Sequence, residues 1–161
     1  MLKQKLLGNV MSEIIKNRFA ADPIKYYRKQ INNTLIIANN HVCYIFKNTP
    51  TYNFLKDEEL TKESKSLEKI YYNFDLDNII DIKLKPIDIE LNVNGKNTKC
   101  ISFPELNEEC YNTKYVNKFG KNKNISYCYI PMWGQKQKCL GIKLNGEIVG
   151  TIMPIFNIED I

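Results

Sequence analysis

Few residues in this chain of 161 are of types and spacings that do chemistry. His41 is the only histidine. No cysteine or carboxylate stands beside it at the spacing of a metal ligand or a base partner, so it reads as a turn residue. The five cysteines, Cys43, Cys100, Cys110, Cys128 and Cys139, contain no C-x-x-C pair of the zinc or thiol-redox kind. Odd in number, they read as free buried thiols of a reducing cytoplasm, not as a disulfide framework. Asp75, Asp77 and Asp81 have the look of a cation loop, but the glycine and distal glutamate of an EF-hand are missing. A solvated approach to a strand is the simpler reading. There is no Ser-His-Asp or Cys-His set, no glycine-rich phosphate loop and no metal constellation. The expectation is a non-enzymatic protein with no catalytic residue, no metal and no cofactor.

Charge is the remaining chemistry, and it is segregated. The net charge is +5. Residues 1–31 hold seven basic and two acidic side chains, and residues 110–146 hold seven lysines and no acid. Between them, residues 48–109 carry eight lysines against thirteen carboxylates, a net −5. Such asymmetry suits a basic face for the phosphates of nucleic acid, and equally a solvated lysine surface.

The elements that must position these charges follow from periodicity. Leu2, Leu6, Val10 and Ile14, joined by Leu7, Met11 and Ile15, form the apolar stripe of an amphipathic helix over 2–18. Lys5, Asn9, Ser12 and Lys16 share its polar stripe. Three β-rich runs, 24–31, 34–38 and 42–47, are separated by Asn-Asn pairs that tolerate left-handed backbone, which predicts a meander. Leu60, Leu67, Ile70, Tyr71 and Phe74 predict a second helix over 58–73, with Lys62, Lys65 and Lys69 on one face. Strands are expected at 79–84, 87–93 and 98–103, with Asn94-Gly95 as a hairpin turn. Tyr111, Tyr115, Val116 and Phe119 mark a short helix ending at Gly120, with Lys114, Lys118 and Lys121 on its other face. Strands at 125–130 and 138–144 come next, and Asn145-Gly146 turns the chain into a last strand, 147–152, stopped by Met153-Pro154. Trp133, in the turn between two strands, reads as either a core lid or an exposed stacking surface.

A chain of this length fits one domain, 1–161, able to bury a core without staples. The hydrophobic share of 43% is ordinary for a globular protein, and no apolar run reaches the roughly 20 residues that span a bilayer. Polar residues interrupt the apolar positions near the N-terminus, which reads as no signal peptide. A cytoplasmic protein with no membrane partner is expected.

Two blocks, in the right order, resemble the C-terminal domain of bacterial DNA polymerase sliding clamps. One is the N-terminal helix with residues 26–40, where LIIANN is similar to the strand and turn after that domain's first helix. The other is residues 112–156. There NTKYVNKF resembles the family's helix with its Tyr-Val or Tyr-Leu pair, ISYCYI and KCLGIKL resemble its strands, and TIMPIF its closing Val-Met-Pro segment. The resemblance implies an α+β clamp-like domain, two helices packed on antiparallel β-sheet, with residues 48–85 and their helix inserted. It implies DNA contacts at Lys5, Lys16, Lys114, Lys118 and Lys121, and a peptide pocket at Ile152, Met153 and Pro154. Clamp subunits hold two or three such domains and close rings of six, whereas this chain has room for one and carries acidic residues beyond its Met-Pro. A monomer or dimer is therefore expected over a six-subunit ring.

Two functions remain open on this basis. One is a sliding-clamp-like accessory of DNA replication and DNA metabolism, binding double-stranded DNA without reading sequence. The other is a small protein-interaction module, encoded by a virus or mobile element, that binds or inhibits a host replication or defence protein. The acidic middle segment motivates the second, since it suits a basic partner better than DNA.

Overall fold

The apolar stripe at the N-terminus forms helix α1 (Leu2–Asn17), which buries Leu6, Leu7, Val10, Met11 and Ile14. Its polar stripe stays in water, with Lys5, Asn9, Ser12 and Lys16 all exposed. The computed structural model describes residues 2–49, 62–106, 109–121, 123–134 and 138–155. After α1 comes the expected antiparallel meander of β1 (Tyr27–Ile31), β2 (Thr34–Ala38) and β3 (Val42–Phe46). The first strand starts three residues later than its β-propensity suggests. The Ile24 amide donates to Asn17 Oδ1 at 2.9 Å, and the Ile24 carbonyl accepts from Asn17 Nδ2 at 2.6 Å, so neither group is left for a ladder. The β2–β3 turn is held by Asn39 Oδ1, which accepts from the amides of His41 at 2.8 Å and Val42 at 2.9 Å.

The C-terminal part repeats this plan. Helix α3 (Thr113–Val116) continues as a 3₁₀ turn (Asn117–Phe119) and stops at Gly120, whose φ of 90° suits only glycine. A second meander follows, β9 (Ile125–Pro131), β10 (Lys138–Leu144) and β11 (Glu147–Ile152). Asn145 and Gly146 take φ of 52° and 79°, the two positive values that the turn between β10 and β11 demands. The two meanders join where β11 pairs antiparallel with β3, Gly150 opposite Tyr44 and Ile152 opposite Val42. Each half is thus a helix followed by three strands.

Residues 48–85 supply two-residue strands at both edges, β4 (Lys62–Glu63) parallel to β1 and β5 (Ile80–Asp81) antiparallel to β9. The large sheet then reads β4-β1-β2-β3-β11-β10-β9-β5. Helix α2 (Ser66–Asn73) is shorter than the 58–73 expected. Lys62 belongs to β4, so it does not share a helical face with Lys65 and Lys69, and residues 58–61 lie outside the described residues. The strand expected at 79–84 shrinks to β5, because Glu105 Oε1 accepts from the amides of Lys83 and Leu84. A smaller antiparallel sheet holds β6 (Ile87–Val93), β7 (Lys96–Ser102) and β8 (Cys110–Asn112), with Asn94 and Gly95 again at positive φ.

The large sheet is buried on both faces, which is why its central strands read as unbroken apolar runs. Leu35, Ile37, Tyr44, Phe46, Leu140 and Ile142 face α1, Val116 and Phe119 in a first core. Ile36, Ile45, Cys43, Cys128, Ile130 and Cys139 face Leu67 and Phe74, at α2, in a second. The structure is α+β, with α1 and α3 on one side of the large sheet and α2 on the other.

Candidate functional site

Helix α1 and the α3 region lie beside each other on the first face, and polar contacts tie them together. Lys118 Nζ pairs with the Glu13 carboxylate, which also accepts from the Tyr26 hydroxyl at 3.3 Å. Lys5 and Lys121 line one shallow hollow of about 170 Å³ with Leu6, Asn9 and Phe119. Lys5, Lys16, Lys114 and Lys121 are exposed, and Lys118 is half-buried. Glu13 is the only carboxylate on the two helices, and Lys118 neutralises it. The fold therefore leaves four lysines exposed on or beside the two helices, of which Lys5 and Lys121 share one hollow. It commits the fifth expected DNA contact, Lys118, to an ion pair worth about 1 kcal/mol or less at its partial exposure.

Two of the acids, Asp88 and Glu90, come close to this region. Asp75 Oδ2 accepts from Asn78 Nδ2 at 2.8 Å, and Asp81 pairs with Lys143 at 2.6 Å, so the three aspartates converge on no cation. Asp88 and Glu90 are exposed on β6, and with Lys99 and Lys121 they line a hollow of about 580 Å³ between the small sheet and α3. Among the described residues no group of three His, Cys, Asp or Glu is placed to hold a metal ion.

Met153 and Pro154 border surface hollows, while Ile152 does not. Ile152 is fully buried in the first core and offers a peptide no surface, which corrects its expected place in the pocket. Its side chain points under α1 because it pairs with Val42 and Leu140, whose side chains face that core. Met153 lies between two hollows. One, about 460 Å³, is bounded by His41, Tyr115, Pro154 and Ile155, and the other, about 400 Å³, by Tyr27, Leu67, Ile70 and Met132.

No protein-family model, curated protein or solved structure matches this chain.

His41 and Tyr115, separate in the sequence, meet in the fold. Their rings stack with centroids 4.7 Å apart and planes 12° from parallel, forming one wall of the Pro154 hollow. Burial and the nearby Lys114 ammonium push the His41 imidazole below its ordinary pKa of 6.5, so the ring is neutral at pH 7. Nothing in the sequence links two residues so far apart, since each belongs to a different half of the fold. Trp133 is 63% exposed, which decides for a surface aromatic over a core lid. None of the five cysteines is in a disulfide, and four of them are buried. Burial pushes the Cys139 thiol up to about 12 and Cys128 up to about 11, so neither serves as a nucleophile at neutral pH. Among the described residues no helix is long and apolar enough to cross a membrane.

Proposed function

We propose that this protein is a clamp-like, non-enzymatic accessory of DNA metabolism that binds duplex DNA through its helical side without reading sequence. The observation that carries this reading is that α1 and the α3 region lie side by side, with Lys5, Lys16, Lys114 and Lys121 exposed on or beside them and Glu13, the one carboxylate of the two helices, paired to Lys118. Exposed lysines on helices act as point charges toward phosphates and have no fixed fork with which to read bases. The succession of helix and three-stranded meander, made twice and joined at β3 and β11, supports the clamp-like part of the reading. A short apolar peptide docking against Met153 and Pro154 completes it, with His41 and Tyr115 as a flat aromatic wall.

The test is duplex binding by fluorescence anisotropy across a salt series, comparing the parent with a Lys5→Glu, Lys114→Glu, Lys121→Glu triple variant. Affinity should fall steeply with salt, log K dropping by about 0.9 per phosphate neutralised for each unit of log salt. In the triple variant the slope should be shallower by about 2 to 3. No affinity at low salt, or an unchanged slope in the variant, rejects the reading. Competition by a non-nucleic polyanion separates general anion binding from a duplex-shaped site.

A second reading, a protein-interaction module directed at a host replication or defence protein, is favoured by the acidic strand β6 with exposed Asp88 and Glu90. Pulldown from nuclease-treated extract distinguishes the two, since this reading requires one stoichiometric protein that survives loss of nucleic acid.

A further inference from the structure

Three sulfur atoms converge in the second core. Cys139 Sγ lies 3.2 Å from Met132 Sδ and 3.1 Å from Met153 Sδ. Separate elements bring them together. Cys139 is the second residue of β10, Met153 follows β11 one step beyond the Leu140–Ile152 pair, and Met132 is fixed just past β9 by its bridge to Phe74. A thiol has one proton and can serve one thioether at a time. The other approach is then between two lone-pair-bearing atoms with no hydrogen between them. A soft cation would relieve that approach as the sulfurs spread around it, since thiolate and thioether are the ligands that select copper(I).

We propose that Cys139, Met132 and Met153 form a binding site for one copper(I) ion, with Cys139 as thiolate and the methionines as thioethers. Binding exchanges the Cys139 proton for the metal: the S–H bond breaks, the sulfur–copper bond forms, and the proton leaves to solvent with no change of oxidation state. The charge balance selects a monovalent ion. One thiolate and one copper(I) make a neutral centre among buried groups, whereas a divalent ion with the same ligands would leave a net positive charge in the core. Cys139 is fully buried, Met132 is 9% exposed and Met153 is half-buried, so that charge would have little water to solvate it. Access is nevertheless built in, because Met132 and Met153 line the hollow of about 400 Å³ that opens beside His41 and Cys43. An entering ion meets the thioethers first and the thiol behind them.

The proposal is tested by titrating the reduced protein with copper(I) under inert gas, against a chromogenic copper(I) chelator as competitor. One ion per chain is expected, with a near-ultraviolet thiolate-to-copper absorption. Met132→Leu and Met153→Leu conserve core volume and leave all five thiols in place. Each should weaken affinity by about tenfold or more, the loss that removing even a supporting contact of a metal ligand produces. Cys139→Ser should abolish the absorption, and excess zinc(II) should not displace the copper. Silver(I), which resists oxidation, gives a second titration with the same expected order of variants. If both methionine variants, checked for folding by circular dichroism, bind as tightly as the parent, the ion sits on other thiols and the proposal is overturned. An undiminished absorption in Cys139→Ser overturns it equally. Where Cys139→Ser does not fold, the two methionine variants decide alone.

Discussion

Gly150 is the residue on which the junction of the two halves turns. It pairs with both Tyr44 and Ile142, on the face that Phe119 covers, and a Cβ there would meet the Phe119 ring and stand 2.9 Å from the Cys43 carbonyl. Phe119 is buried and the carbonyl belongs to the β3 backbone, so neither yields freely. Gly150→Ala should therefore cost about 1–3 kcal/mol, the range for overpacking a filled core. Chemical denaturation measures it, and the penalty should shrink in a Phe119→Ala background if the ring is the obstacle. His41 carries a prediction of a different kind. The unfolded chain protonates this ring near 6.5, while burial and Lys114 keep the folded form neutral to lower pH. The unfolded state then binds more protons, so stability should decline as pH falls from about 6.5 toward the lower folded value, and be unaffected by His41 above it. Denaturation midpoints across that window should flatten in His41→Gln; an identical pH dependence in that variant would show that other groups are responsible.

At the scale of elements, the pairing of α1 with the α3 region sets how many lysines are available. Lys118 is held by Glu13, which also takes the Tyr26 hydroxyl. Glu13→Gln removes the negative charge, frees Lys118 and leaves a hydrogen-bonding group for Tyr26. Duplex affinity should rise, and its salt slope should steepen by about one phosphate equivalent, while stability changes by about 1 kcal/mol or less. Affinity that falls in Glu13→Gln would mean that the pair orders the face more than it masks it. On the opposite side of the sheet α2 has a packing role, since Leu67 and the following Phe74 cover Ile36, Ile45 and Ile130. Lys69, the one lysine of that helix, is thus across the sheet from the lysines of α1.

For the whole molecule, the question is whether copies join edge to edge. The large sheet ends in β4 and β5, each two residues long, and short edge strands are poor templates for pairing. Among the described residues the longest edge strand is β6 in the small sheet, and it leaves Asp88 and Glu90 exposed, which repel a second copy. A monomer or dimer is expected by light scattering, and with it no retention on circular DNA. A stable particle near six times 18.9 kDa would reverse this and favour a closed ring.

The local elements were legible along the chain. The Asn-Gly turns are positive-φ positions in both hairpins, the spacing of Leu6, Val10 and Ile14 produces α1, and the apolar runs are strands to within a few residues. These depend on backbone sterics and side-chain period, which neighbours along the chain settle. Tertiary structure decided what long-range pairing controls. It buried Ile152 by seating β11 between β3 and β10, committed Lys118 to Glu13, and stacked His41 on Tyr115. It also shortened β1 and β5, because side chains of Asn17 and Glu105 took backbone groups that a ladder would have used. The gathering of Cys139, Met132 and Met153 is of the same kind. Which sulfurs meet depends on sheet order and register, and neither is written in any one segment of the chain.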